Sequence, residues 1–222
     1  GIRGQMSVVL AFAGQQTEFD IDGAYDVASR RLTLNLDVRG IAPATVASLL
    51  PEAALLDALE VPLSGSVSLQ MPIDGVVEIV AVSLKGGAGR IVPPGPNSRP
   101  IPIDSIALRA TYNGPEARTD IDYLEIDVGE AGNVYVPAPI DHAFPLTGLT
   151  LRGRYLAKLR RFELKSLDAV LDGPRVSLSG TVDAGAKNGA IIVNVAGELR
   201  DGPLARMKTF WPKTLGAKPY DW

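Results

Sequence analysis

The stretch Arg31-Leu32-Thr33-Leu34-Asn35-Leu36-Asp37-Val38-Arg39 decides the fold class, because apolar and polar residues alternate along its whole length. A period of two places the apolar side chains on one side of an extended chain, which is typical of a half-buried strand in an antiparallel sheet. Further strands are predicted on both sides of it, among them residues 17–25, 61–71 and 146–156. About a dozen strands joined by short turns predict a mainly β protein.

A five-residue pattern, apolar–x–Gly–x–apolar, recurs within these strands and leaves a gap in the apolar face. Glycine weakens a strand, so its repetition at such positions predicts bends, bulges or a close approach of another backbone. We therefore expect a curved antiparallel sheet, an open half-barrel or groove, with an aliphatic inner surface. The five copies centre on Gly23, Gly65, Gly153, Gly180 and Gly197.

Three segments depart from the strand pattern. Residues 44–59 are rich in leucine and predict a short helical insertion, and residues 204–210 predict a short C-terminal helix. Residues 91–102 are rich in Pro, Gly, Asn and Ser, which predicts a long turn or a hinge. No sharp boundary divides the chain, so we interpret residues 1–222 as a single β-rich module.

Local signals give finer predictions. The apolar parity switches between Tyr123 and Leu124, which predicts a β-bulge. Tight turns are predicted at Asp22-Gly23, at Asn113-Gly114 and at Asp172-Gly173-Pro174.

Composition argues against several classes of function. The net charge of −3 disfavours a general nucleic-acid binder, and the absence of cysteine removes disulfides, thiol catalysis and thiolate metal sites. No apolar run approaches the length of about 18 residues that a membrane-spanning helix needs. Because the chain begins with Gly1 rather than Met, we expect an internal segment of a longer protein whose targeting segments lie outside it.

Catalysis and metal binding receive little support from the residues. His142 is the single histidine and could pair with Asp141 or Asp120, but a lone loop histidine is usually solvent-exposed. Acidic residues at every second position, such as Asp20 and Asp22, fit a solvated strand face better than a calcium loop. We predict no enzymatic activity, no cofactor and no metal.

One basic cluster stands out in the sequence. It could meet lipid headgroups or an acidic protein surface, or it could form a solvated face with acidic partners such as Glu163 and Asp168. Its members are Arg152, Arg154, Lys158, Arg160, Arg161 and Lys165.

Two segments carry a resemblance to a known family. They are Ile41–Pro51, which is followed by Leu55–Gly65, and Gly202–Pro212 with its Trp-Pro pair. This arrangement resembles the AsmA-like envelope proteins of Gram-negative bacteria, in particular the YhdP-like branch related to TamB. In that branch a strand passage leads into a short helical insertion, then into a strand of the type Leu63-Ser64-Gly65, and a later Trp-Pro segment leads into the next repeat.

The resemblance implies a non-enzymatic module for lipid binding and transfer between the inner and outer membranes. It would lie in the periplasm, attached to the inner membrane through a segment absent from this chain, with neighbouring repeats of the same longer chain beside it. The alternative is a structural or protein–protein interaction domain, a closed sandwich or barrel, in a large envelope protein. The residues predicted to line a groove for phospholipid acyl chains are Phe19, Ile21, Leu32, Leu34, Leu36, Val38, Val67, Leu69, Ile106, Leu108, Leu149, Leu151, Leu178 and Val193.

Overall fold

The protein is built around one open antiparallel sheet of eleven strands, seen here in a computed structural model. The strands lie in the sheet in the order in which they occur along the chain, and each pairs only with its neighbours. The mainly β, antiparallel architecture predicted from the alternation is confirmed, and the sheet does not close into a barrel. The structure describes residues 1–12, 15–49, 56–93, 99–129, 132–136, 142–184 and 191–203.

The strands of the main sheet are eight to twelve residues long, and two small sheets flank it. In the main sheet they are β1 (Ile2–Phe12), β2 (Gln15–Asp26), β3 (Arg31–Ile41), β5 (Leu63–Pro72), β6 (Ile79–Gly86), β9 (Ser105–Asn113), β10 (Arg118–Asp127), β13 (Leu146–Leu156), β14 (Arg161–Leu171), β15 (Arg175–Ala184) and β16 (Ile191–Arg200). One small sheet contains β4 (Leu59–Glu60), β7 (Gly89–Ile91) and β8 (Ile101–Ile103), and the other contains β11 (Val134–Val136) and β12 (His142–Phe144).

The connections at the two ends of the strands differ greatly in length. We call the end at which β3 stops and β5 starts the upper end, and the opposite end the lower end. The upper connections of the central strands are the long segments 42–62, 87–104 and 128–145, and these carry both small sheets. The lower connections, such as 27–30 and 114–117, are short. Insertions therefore gather at one end of the sheet.

Three lower turns share one backbone conformation. Each has four residues and ends on a non-glycine residue in the left-handed region, namely Arg30 (φ 52°), Ala117 (φ 52°) or Arg160 (φ 50°). The carbonyl of this residue accepts a hydrogen bond from the end of the strand on the other side, as in Ile73 N–H to Arg30 O at 3.0 Å and Ala184 N–H to Arg160 O at 2.9 Å. The repeated turn thus joins three strands rather than two.

The small sheet β4–β7–β8 packs over the upper end of the main sheet and forms the hydrophobic core. Val61 and Ile103 are each 2% exposed, and they contact Leu63 and Ile106 of the main sheet. Gly86 makes this contact possible, because a Cβ there would lie 3.1 Å from Val61 and 3.0 Å from Ile106. We call this small sheet the cap.

The described part of the predicted helical insertion is helical at its start and has a helical turn near its end, and residues 50–55 lie outside the described residues. Helix α1 spans Pro43–Leu49, and a single 3-10 turn covers residues 56–58 before β4 begins. The predicted segment 91–102 begins and ends in paired strands, because Ile91 lies opposite Ile101 in the cap. The predicted helix at 204–210 lies outside the described residues.

Two local predictions have opposite outcomes. The bulge is confirmed, since the register of β10 against β9 shifts between Ile121 and Tyr123. The turn at Asp22-Gly23 is wrong, because both residues lie inside β2, paired with Asn35 and Leu34 of β3. An Asp-Gly pair favours a turn, but the alternation that continues on both sides of it keeps the chain extended.

Candidate functional site: an open apolar face

Strand register brings the apolar side chains of all eleven strands onto one surface. Residues directly opposite each other in an antiparallel pair lie on the same side of the sheet. Following the paired residues from β1 to β16 gives rows that cross every strand. These rows are made of hydrocarbon side chains, methionine and glycine, with hydroxyls only at Tyr112, Thr119 and Tyr155. We call this surface the apolar face.

Three rows cross the whole sheet, from the upper side to the lower. The first is Val8, Phe19, Val38, Gly65, Leu84, Leu108, Leu124, Leu151, Leu167, Leu178 and Gly197. The second is Met6, Ile21, Leu36, Val67, Val82, Ala110, Ile121, Gly153, Leu164, Gly180 and Val195. The third is Gly4, Gly23, Leu34, Leu69, Val80, Tyr112, Thr119, Tyr155, Phe162, Val182 and Val193.

The structure places all fourteen predicted groove residues on this face. Eleven of them belong to the three rows above. Leu32 lies below these rows, where it pairs with Tyr25 and Met71, and Ile106 and Leu149 lie above them, each opposite Ile126.

Sequence reasoning did not assign the apolar residues of β6 to this face. Residues 76–84 are apolar at nearly every position, so parity alone does not say which of them point to one side. The register of β6 with β5 shows which side chains lie on the apolar face, because Val82 pairs with Val67 and Val80 pairs with Leu69. Leu164 was also not assigned to this face, because a bulge between Leu164 and Leu167 shifts the alternation of the strand.

Most of the apolar face is only partly covered. Under the cap, Leu63 and Ile106 are buried, whereas Tyr112 and Tyr155 on the lower side are 37% and 40% exposed. Exposure rises further toward the edges, reaching 55% at Met6 of β1. Contiguous exposed apolar surface of this kind is uncommon on monomeric soluble proteins.

The glycines of the recurring pattern all lie on this face, where two of them are required by close backbone approach. Gly65 has φ +151°, and a Cβ at this position would lie 2.0 Å from the carbonyl oxygen of Ser83 on β6. Gly180 has φ +153°, and its Cβ would lie 2.0 Å from the carbonyl oxygen of Asn194 on β16. At two separate strand pairs, therefore, the backbones approach so closely at a glycine that a side chain at that position would clash with the neighbouring strand.

The opposite face of the sheet is polar and carries ion pairs between strands. Arg39 of β3 contacts Glu18 and Asp20 of β2 at 2.9 and 3.0 Å. The hydrogen bond and charge of Glu18 and the charge of Asp20 raise the pKa of Arg39. The groups are well exposed, so each pair contributes modestly to stability.

Asp120 is the most enclosed of the carboxylates that form ion pairs in the described residues, with 18% of its side chain exposed. Arg118 and Arg154 donate hydrogen bonds to its two oxygens, at 2.7 and 2.6 Å. Burial acts to raise the pKa of Asp120, but the two guanidinium groups outweigh it and lower the pKa. Both oxygens of Asp120 are thus held by arginine side chains. His142 lies on a different sheet, in β12, and its ring packs against Phe144 with 4.8 Å between the ring centroids.

The basic cluster is split by the fold. Arg154 pairs with Asp120, and Arg161 pairs with Asp183 at 2.6 Å. Lys158 and Arg160 lie instead in the lower turn between β13 and β14.

Other candidate sites are weaker. A depression of about 570 Å³ lies near Gly65, lined mainly by polar and charged residues such as Ser66, Ser83 and Lys85. In the described parts of the chain, no three acidic or histidine residues come together as metal ligands would.

Comparisons with known proteins give no relative: no protein-family model, no curated protein and no solved structure matches the chain. Among the described helices, none has the length and apolar character needed to cross a membrane.

Proposed function

We propose that this chain is a non-enzymatic lipid-binding module whose apolar face holds the acyl chains of phospholipids. The observation that carries the proposal is a continuous apolar surface across eleven strands that the described chain covers only in part. Removing this surface from water is favourable in proportion to its area, by about 25 cal/mol per Å². Acyl chains are flexible and wholly apolar, so they can follow rows that offer no directed polar contacts.

The proposal extends to the setting that the family resemblance implies. The module would be one part of a longer AsmA-like protein in the periplasm, held at the inner membrane by a segment outside this chain, and it would carry lipid between membranes. Within the described residues, the outer edges of β1 and β16 pair with no further strand. This supports the setting, because each edge could pair with a strand of a neighbouring repeat. No nucleic acid, cofactor or catalytic residue enters the proposal.

A protein–protein interaction domain is the second candidate. The described chain forms neither a closed barrel nor a sandwich over the whole apolar face, so in this alternative a partner protein would cover that face. The two candidates differ in what the purified protein holds.

Lipid mass spectrometry of protein purified from cells tests the proposal. We expect phospholipid to co-purify with the unmodified chain and to be lost in Leu34→Glu and Leu36→Glu, which place a carboxylate among the rows. Asn35→Glu is the matched control, because Asn35 lies between them on the polar face, hydrogen-bonded to Ser68 at 2.8 Å. It should retain lipid.

Circular dichroism of each variant separates loss of lipid from loss of fold. Lipid absent from the unmodified protein, or retained equally in Leu34→Glu and Asn35→Glu variants that are both folded, would refute the proposal.

A further inference from the structure

The two ends of the strands differ in chemistry on the apolar face. At the upper end the row under the cap is purely aliphatic, with Leu63, Ile106 and Ile126 as central members. The exposed hydroxyl-bearing side chains of the face, Tyr112 and Tyr155 among them, lie toward the lower end, whereas the hydroxyl of Thr17 at the upper end is buried and donates to the carbonyl of Gly40. Tyrosine is favoured where one end of a side chain meets an apolar phase and the other meets water.

The cap closes the upper end, so the open mouth of the face lies toward the lower end. Along β5 the cap contacts Leu63, and a partly exposed stretch of the face runs from Val67 to Met71. Five strand residues span about 17 Å at a rise of about 3.4 Å each, which is the scale of a long acyl chain. An amphiphile on this face would lie with its tail end at the cap and its headgroup at the lower turns.

Charge at the lower turns is unevenly compensated. Three of their arginines are paired with carboxylates: Arg31 with Glu78, Arg118 with Glu116, and Arg161 with Asp183. Asp26 is engaged within its own turn by the Ala28 N–H and the Ser29 hydroxyl, and these hydrogen bonds, that of Ser29 first, lower its pKa.

The remaining charges of these turns are mostly positive. Arg30 and Arg160 are exposed and make no ion pair within the described residues, and Lys158 donates to the carbonyl of Pro115 at 3.1 Å, which leaves its charge uncompensated. Asp74 opposes them as a carboxylate without an ion pair in the described turns, and so does Asp26, whose hydrogen bonds leave its negative charge in place. The balance favours an anion.

From this arrangement we propose that the apolar face selects lipids with an anionic headgroup, which Arg30, Lys158 and Arg160 bind at the lower turns. The inference rests on the proposed lipid-binding function and adds the orientation and the headgroup class. Arg30 and Arg160 occupy equivalent positions in two copies of the same turn, so the contacts recur along the mouth rather than forming one site.

The test uses the whole chain incubated separately with vesicles of phosphatidylglycerol and of phosphatidylcholine that carry identical acyl chains. Lipid bound per protein is measured by mass spectrometry after the vesicles are removed. Since a basic residue near an anionic lipid surface contributes about 1 kcal/mol, or about fivefold, we expect phosphatidylglycerol to load at least about fivefold better at low salt. The double variant Arg30→Gln/Arg160→Gln should lose most of this preference while loading phosphatidylcholine as before.

Two controls make the outcome specific. Arg175→Gln removes an exposed arginine at the upper end, where β15 begins, and should keep the preference. Arg30→Lys/Arg160→Lys retains both charges and should keep it too. Equal loading of the two lipids by the unmodified chain, or an undiminished preference in the glutamine double variant, would overturn the inference. Failure to load either lipid would instead refute the proposed function on which it rests.

Discussion

Replacing Gly65 or Gly180 by alanine tests the central feature of the sheet, the close approach of backbones at the recurring glycines. Both have φ near +150°, and a Cβ at either would lie 2.0 Å from a carbonyl oxygen of the next strand. A side chain in such a backbone region costs about 1–3 kcal/mol. Relieving the overlap requires the strands to move apart, which costs a further 1–3 kcal/mol or so, as overpacking does in cores. We expect each variant to lose about 2–6 kcal/mol of unfolding free energy.

Gly148 in β13 provides the matched control. A Cβ there would meet its nearest neighbour, the Ile126 carbonyl oxygen, at 3.7 Å, which is ordinary contact, and its φ lies outside the strained region. Gly148→Ala should therefore be neutral or stabilising by about 0.5–1 kcal/mol, because alanine loses less backbone entropy in a strand.

Urea unfolding followed by circular dichroism measures both effects, with the midpoint shifting while the slope stays constant. If Gly65→Ala and Gly180→Ala unfold at the same urea concentration as Gly148→Ala, the close-approach explanation of the glycine pattern is refuted.

Two further predictions concern the core and the polar face. Ile103→Ala should destabilise the protein by about 2–5 kcal/mol, because it leaves a cavity at a fully enclosed site under the cap. Ile79→Ala, at a position that is 37% exposed, should destabilise it much less. Thermal unfolding of the two variants compares these effects. Because Arg154 and Arg118 lower the pKa of Asp120, its contribution is present above the unfolded-state pKa of about 3.9 and disappears as pH falls through the lower folded value. Asp120→Asn should thus be less stable than the unmodified chain at neutral pH, by about 1 kcal/mol, and the difference should vanish in acid; equal destabilisation at both pH values would contradict this.

The alternation of apolar and polar residues was enough to predict which side chains of most strands lie on the apolar face. In β3 the alternation from Leu32 to Val38 fixes which side chains share a surface, and a parity switch located the bulge near Tyr123. Both signals are local, since they depend on successive residues of one extended chain. The turn that follows Asn113 was predicted by the same local rules, whereas the turns that end at Arg30 and Arg160 carry no glycine signal and were not predicted.

The cap could not be predicted in this way. Its strands have only two or three residues, and Leu59, Ile91 and Ile101 meet through pairings between distant segments. The same limit applies to the openness of the face, because an alternating strand such as β3 has one pattern whether its apolar side faces a second layer or a ligand. Only the pairing of the described strands shows that β1 and β16 have no second partner strand among them.

The strictly sequential strand order has a consequence for how the protein unfolds. Because each strand of the main sheet pairs only with its neighbours, no distant strand holds an edge in place, and cooperativity must pass along the sheet one hairpin at a time. All ten residues of β16 are exposed, while the central strands also carry the cap. Amide hydrogens should therefore exchange fastest in β16 and β1 and slowest around β5, β6 and β9, so the sheet frays from both edges toward a stable centre.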